Sequence, residues 1–385
     1  MTAAALPVDG LCDPRFAPVR EAFVANLTER GDVGAAVAIS VGGRPVVDLW
    51  GGWLDAARRR PWRRDTLVNV FSVSKGLSTV CALQLVERGL LDLDAPIARC
   101  WPEFAAAGKE HISLRQVLTH RAGLPALRAP LPDGAMLDWP CMTAALEAQA
   151  PWWTPGAAHG YHVNTFGFLV GEVVRRVSGV SLGTWLRAHV AAPLDADIHI
   201  GLPAAEHHRV AEFLWPAGVR PRTPDTFADD DELMRWNAYW NPPGLSGAGW
   251  VNRGEWRTAE LPSTNGHASA RGVARLYAAL AAGGRIDGVH VLAQPLLQAA
   301  AQEQSNGPDR VLQRPSRFGI GFQLSQPERP LGPNAGAFGH FGTGGSLGYC
   351  DPDAGVAFAY VMNDLGPRWQ NPRNRALMEA LYACL

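Results

Sequence analysis

The chain has 385 residues, 47% of them hydrophobic and 18% charged, with a formal net charge of −1. That composition excludes a disordered chain, and the near-neutral balance gives no electrostatic case for nucleic acid or an anionic membrane as a partner. No run approaches the roughly 18 apolar residues of a membrane span, and the six cysteines are scattered without Cys-x-x-Cys or metal-ligand spacing. Free thiols, no metal and no cofactor are therefore expected.

In chain order, Met1–Leu6 lacks a basic region and a long apolar run, so it does not read as a secretory leader. With free thiols, this gives a cytoplasmic expectation. Pro14 to Arg30 predicts an amphipathic helix with Phe16, Val19, Phe23, Val24 and Leu27 on one side. Gly34–Val41 and Pro45–Trp50 read as strands around a Gly42-Gly43 turn. The basic run Arg58–Arg60 with Arg63 and Arg64, beside Asp55 and Asp65, reads as a solvated loop. Ser74 to Arg88 predicts a helix with a strongly apolar body.

Residues 96–200 read as helical segments broken by Pro and Gly, with Phe166–Val177 the clearest. The stretch from about 203 to 265 is irregular and rich in Pro, Gly and Trp, and loops of that length are usually functional. A helix at Ala268–Ala282 follows, then strands at Phe318–Leu324, Ala337–His340, Ser346–Asp351 and Val356–Met362, and a closing helix Asn371–Leu385. The prediction is an α+β fold: one antiparallel sheet flanked by helices, built from both chain ends, with a large mostly helical insertion. Residues 1–90 and 265–385 would form a discontinuous sheet domain and 91–264 a helical domain carrying the long loop, with the active site between them.

The chemistry concentrates at Ser72-Val73-Ser74-Lys75. Positions i and i+3 share a helix face, so Lys75 can reach the Ser72 hydroxyl. A serine becomes a competent nucleophile when a neighbouring base takes its proton. At a helix start, unpaired N–H groups and the dipole favour negative charge nearby. Tyr161, ahead of the Phe166 helix, is either a phenolic acid/base partner or a core tyrosine capping that helix. The glycine-rich stretch Gly339-His340-Phe341-Gly342-Thr343-Gly344-Gly345-Ser346-Leu347-Gly348 allows close backbone approach and suits an oxyanion site. Within it, Gly344–Gly348 matches G-x-S-x-G. That motif needs a strand before and a helix after its serine, and here a hairpin into another strand follows, so Ser346 reads as structural. Fourteen tryptophans either line a pocket or fill the core. Pocket walls are expected from residues 203–262 and 124–153, with Trp250 and Trp153 among them.

Four segments together resemble the serine β-lactamase-like superfamily, most closely the family VIII carboxylesterases, which look like class C β-lactamases and D,D-peptidases in fold. They are Phe71–Gly76, Ile112–Pro125, Pro155–His162 with Gly167–Arg176, and His340–Gly348. The resemblance implies Ser72 as acyl-accepting nucleophile and Lys75 as its base or base partner. Tyr161 would shuttle the proton to the leaving alcohol, and the backbone N–H groups of Ser72 and Thr343 would form the oxyanion hole. Gly342 would let Thr343 approach. From the residues themselves, His340 either holds a substrate carbonyl or carboxyl or is a strand residue that packs.

Two departures matter. β-Lactamases of this fold carry Tyr-x-Asn, and here the third position is Val163. Asn164 is displaced by one residue, which on a helix would turn it about 100° away. They also carry Lys-Thr-Gly, where this chain has His340-Phe341-Gly342. Both changes resemble the esterase branch. The expectation is a serine carboxylesterase acting on small or short-acyl esters through an acyl-enzyme. The alternatives are β-lactam or peptide amide hydrolysis or acyl transfer on the same serine, and a non-catalytic protein of the same fold.

Overall fold

The run Val356-Ala357-Phe358-Ala359-Tyr360-Val361-Met362 is apolar at every position, the pattern of a strand covered on both faces. In the computed structural model all seven residues are buried, inside a nine-stranded antiparallel sheet. The structure describes residues 6–216, 223, 224 and 226–385. Residues 1–5, which carry most of the leader reading, and residues 217–222 and 225 of the Pro/Gly/Trp-rich stretch lie outside it.

The strands are β1 (Val8–Cys12), β2 (Gly34–Val41), β3 (Arg44–Gly52), β4 (Ser305–Pro308), β5 (Pro315–Phe318), β6 (Gln323–Leu324), β7 (Phe338–Phe341), β8 (Leu347–Asp351) and β9 (Val356–Met362). Their order is β1-β3-β2-β9-β8-β7-β6-β5-β4. Three strands come from the start of the chain and six from its end, joined where β9 pairs with β2 from Val356↔Val41 to Met362↔Ala35. The sheet is thus built from both ends, as expected. β1 and β4 were not foreseen, and the strand expected over Phe318–Leu324 is broken into β5 and β6. The break is a turn in which Gly319 N–H donates to Phe322 O at 2.9 Å, with Gly321 at φ +78°.

The helices that frame the site are α1 (Ala17–Thr28), α2 (Val73–Glu87), α3 (Trp139–Ala148), α4 (Thr165–Ser178), α5 (Asp230–Trp240), α6 (Ala270–Ala281) and α7 (Pro372–Tyr382). α6 packs on β2, β8 and β9, and α1 pairs with α7 on the opposite sheet face. α2 is buried from Val73 to Leu85, wedged between α4 and β7. A short antiparallel sheet of Val68–Asn69, His267–Ala268 and Ile198–His199 leads into α2. α5 lies in the stretch expected to be irregular, capped by Asp229 and carrying Asp230, Asp231 and Glu232 in its first turn.

Candidate active site

Ser72 is the residue before the first turn of α2, and its hydroxyl makes no cap bond. The chain enters through Phe71 at φ +47°, a backbone region that is strained for an aromatic residue. Three contacts hold it there. The Phe71 ring packs edge-on against Phe213 and Trp215, at 4.7 and 5.9 Å between centroids. Ser74 donates its hydroxyl hydrogen to Phe71 O and accepts from Gly266 N–H at 2.8 Å.

Lys75 is fully buried one turn along. Its Nζ lies 3.2 Å from Ser72 Oγ, 2.6 Å from Val163 O and 3.2 Å from Ser263 O. Burial pushes its pKa well below the ordinary lysine range. A neutral amine has two N–H bonds and one lone pair. In that neutral form the two carbonyls would take the two N–H bonds and leave the lone pair for the Ser72 hydroxyl. The Ser263 carbonyl comes this close because Gly167, on α4, packs against Ser263 and donates its N–H to Ser263 Oγ at 2.6 Å.

Tyr161 is also fully buried. Its ring stacks on Phe318 at 5.8 Å and packs against His120 at 4.9 Å and Trp369 at 5.2 Å. Lys75 Nζ sits 4.8 Å from the ring centroid. Burial raises the phenol above its usual range, with the Ser72 hydroxyl opposing, so the group is a neutral acid. Its Oη is close enough to the Ser72 hydroxyl to be influenced by it, without a hydrogen bond of full geometry among the described residues. The Tyr161 N–H donates to both Asp309 oxygens at 3.0 and 3.1 Å. Asp309 also accepts from the N–H groups of Val311 and Leu312 and from Ser316 Oγ. Sequence reasoning missed Asp309, because nothing local marks an aspartate whose partner lies 148 residues away.

Across from Ser72, β7 runs into the turn Thr343–Gly345. Gly342 donates its N–H to Ser346 O at 2.7 Å. A Cβ at Gly342 would stand 2.2 Å from Ser346 Oγ and 2.4 Å from Val70 O. Ser346 is fully buried, donates to Val70 O at 3.0 Å and leads into β8 rather than a helix. It ties this turn to the segment just before Ser72. Thr343 and Ser72 line one cavity of about 540 Å³, and neither of their backbone N–H groups donates to another backbone group among the described residues.

The family profile described as Beta-lactamase spans residues 19–383. The chain belongs to the beta-lactamase family. The esterase/beta-lactamase LipL of Mycobacterium tuberculosis is 38% identical over 363 residues, covering 93% of this chain and 83% of LipL. The crystal structure of a family VIII carboxylesterase is 40% identical with a TM-score of 0.91, covering 98% of this chain and 100% of that one. EstA from Arthrobacter nitroguajacolicus Rue61a is 34% identical with a TM-score of 0.85, covering 97% of each chain.

Two positions where this chain departs from the β-lactamase pattern have clear geometry. Val163 serves through its backbone oxygen, which accepts from Lys75. Asn164 is not turned away as expected: it lines the cavity, because α4 starts only at Thr165 and no helical step separates 163 from 164. Its amide is engaged, donating to Ala238 O at 2.9 Å and Ser246 Oγ at 3.0 Å and accepting from Thr264 Oγ1 at 2.6 Å. His340 donates Nδ1–H to Phe341 O at 2.7 Å. Burial, and secondarily Lys75, pulls its pKa down to about 3, so the imidazole is neutral where β-lactamases hold a lysine.

Among the described residues the stretch from 203 to 262 supplies Trp215, Tyr239, Trp240, Ser246 and Ala248 to the cavity wall, and residues 124–153 supply nothing. Trp250 is not a wall residue: its Nε1 donates to Asp133 at 3.1 Å and Arg253 stacks on it. Nor is Trp153, which donates to Ala158 O at 3.1 Å and packs beneath Gly160. It braces the loop that presents Tyr161. Among the described residues no helix is long and apolar enough to cross a membrane.

Proposed function

We propose that this chain is a serine carboxylesterase that hydrolyses small or short-acyl esters through an acyl-enzyme on Ser72. The observation that carries the reading is the buried Lys75 amine, 3.2 Å from Ser72 Oγ with two carbonyls to take its N–H bonds. Lys75 takes the hydroxyl proton as Ser72 Oγ attacks the ester carbonyl carbon. The developing oxyanion accepts from the Ser72 and Thr343 N–H groups. When the carbon–oxygen bond to the alcohol breaks, Tyr161 gives its proton to the leaving oxygen and regains one from Lys75. In deacylation water attacks the acyl carbon by the reverse route, releasing the acid and restoring Ser72.

The division into a sheet unit (1–90 with 265–385) and a helical unit (91–264) belongs to the same reading. It is supported by a cavity walled by Ser72 and Thr343 on one side and by Asn164 and Tyr239 on the other. A cytoplasmic location is supported by six cysteines that are all unpaired. The similarity to the esterase/beta-lactamase LipL and to a family VIII carboxylesterase supports an ester substrate. The test is turnover of p-nitrophenyl acetate and butyrate with fluorophosphonate labelling. Ser72→Ala is expected to abolish both and Ser346→Ala to retain both; the reverse pattern would make Ser346 the nucleophile.

A further inference from the structure

One wall of the cavity is cationic and unpaired. Arg314, in the turn between β4 and β5, and Arg368, ahead of α7, both line it, and no Asp or Glu does so among the described residues. Neither arginine side chain makes a hydrogen bond or an ion pair among the described residues. The acid nearest in sequence, Asp309, is spent on three backbone N–H groups and Ser316 Oγ. Arg314 is half-buried, and burial is the largest influence on it, disfavouring its charge. Tyr239 and Asp309 favour the charge from a distance, but no carboxylate pairs directly with this half-buried guanidinium to offset its desolvation cost.

The position of Arg314 gives that charge a direction. Its guanidinium carbon lies 4.8 Å from the Trp369 ring centroid, and the Trp369 ring lies 5.2 Å from that of Tyr161. Tyr161 is the group assigned to the leaving oxygen. Arg314 therefore stands on the side of the cavity that receives the alcohol half of the ester, and a planar fork stacked on an indole is suited to a carboxylate.

We propose that Arg314 binds a carboxylate carried by the alcohol portion of the substrate, so that the preferred esters are O-acyl derivatives of hydroxy acids. Hydrolysis then releases the acyl group as a carboxylic acid and the alcohol as a free hydroxy acid. The inference rests on the esterase reading for the identity of the leaving side. Arg314 is a specificity residue here and takes no part in the proton transfers.

The test compares 4-acetoxybenzoate with the neutral 4-acetoxybenzamide, read as the ratio of their kcat/KM values. The wild type should favour the anion. Arg314→Gln should lower the ratio about tenfold, the scale of one hydrogen bond to a charged group, and Arg314→Lys should retain a higher ratio than Arg314→Gln. Salt should shrink the preference. As a second comparison, monomethyl adipate, whose charge is on the acyl side, should show no Arg314-dependent advantage over methyl heptanoate. An unchanged benzoate-to-benzamide ratio in Arg314→Gln, or an Arg314-dependent preference confined to the adipate, would overturn the proposal. If the wild type hydrolyses none of these esters and resists fluorophosphonate, the esterase reading fails. Calorimetric binding of 4-acetoxybenzoate to Ser72→Ala protein then decides for Arg314. Binding lost in Ser72→Ala/Arg314→Gln supports the anion site, and absent or unaffected binding overturns it.

Discussion

Alanine at position 342 isolates the contact that holds the turn proposed as the oxyanion site against the segment before Ser72. The backbone there, at φ −112° and ψ 165°, is extended and open to alanine, so no conformational strain enters. The obstacle is space. The new methyl would stand 2.2 Å from Ser346 Oγ and 2.4 Å from Val70 O, where ordinary contact begins at 3.4 Å. Ser346 Oγ is bonded to that same Val70 carbonyl at 3.0 Å, so the hydroxyl moves only by giving up its partner. Val70 O is main chain, two residues before Ser72. A displacement of about 1 Å must then enter either Val70–Ser72 or Gly342–Thr343, and either one parts the nucleophile from an oxyanion donor. Misplacement on that scale costs about 100-fold, and loss of one donor about 100- to 1,000-fold. Stopped-flow acylation by p-nitrophenyl acetate, with circular dichroism to establish folding, reads the loss. In Gly342→Ala/Ser346→Ala one obstacle is gone and Val70 O remains, so only part of the rate should return. A folded Gly342→Ala enzyme within threefold of wild type would refute the reasoning.

Asp309→Asn should lower kcat about tenfold or more with a smaller change in KM, because the carboxylate that fixes the Tyr161 backbone loses accepting capacity; an effect confined to KM would count against a positioning role. The pH profile of kcat/KM should rise along an acidic limb as the buried Lys75 amine loses its proton. It should then stay level to about pH 9, since burial keeps Tyr161 protonated beyond the ordinary phenol range. A decline between neutrality and that point would mean that the ammonium is the working form. Nitrocefin should be turned over far more slowly than the short esters, because the late strand offers the neutral His340 where β-lactamases carry a cation; comparable rates would contradict this. Lys109 is fully buried, with Nζ donating to Ala106 O, Glu147 O and Gln149 O at 2.6, 2.8 and 2.7 Å. Lys109→Met orphans three carbonyls and should cost about 3 kcal/mol in urea unfolding; a loss below about 1 kcal/mol would show that water replaces the ammonium.

The parts of the fold that were legible in sequence are those whose burial is written locally. β9 is apolar throughout because both its faces are covered, and α2 is apolar through its body for the same reason. β1 and β4 escaped because edge strands need little apolar surface: Asp9 and Gly10 interrupt the one, and Ser305-Asn306-Gly307-Pro308 composes the other. α5 carried a readable start, Asp229 ahead of three acids, hidden by the Pro/Gly/Trp-rich company around it. In the site, spacing alone brought Ser72 to Lys75, while Tyr161 and Thr343 needed the family pattern. The wall residues were the least legible, since whether Trp250 or Trp215 faces the cavity depends on loop geometry that no short-range rule encodes.

The order of the sheet bears on how the molecule comes into being. β9, last of the strands to leave the ribosome, seats between β2 from the first fifty residues and β8 from the end. Until it arrives, β2 and β8 each present an open edge able to pair with another chain. The nascent protein therefore carries the open β2 margin for most of its synthesis, joined by that of β8 only shortly before β9 itself is made, and closure depends on slow, long-range contacts. Under the proposed mechanism hydrolytic competence needs Thr343, made just before β8, beside Ser72 at the start of α2, so it cannot precede the last strands. A truncated chain should be both inert and prone to aggregate, so that appearance of activity during translation would time the moment the seam closes.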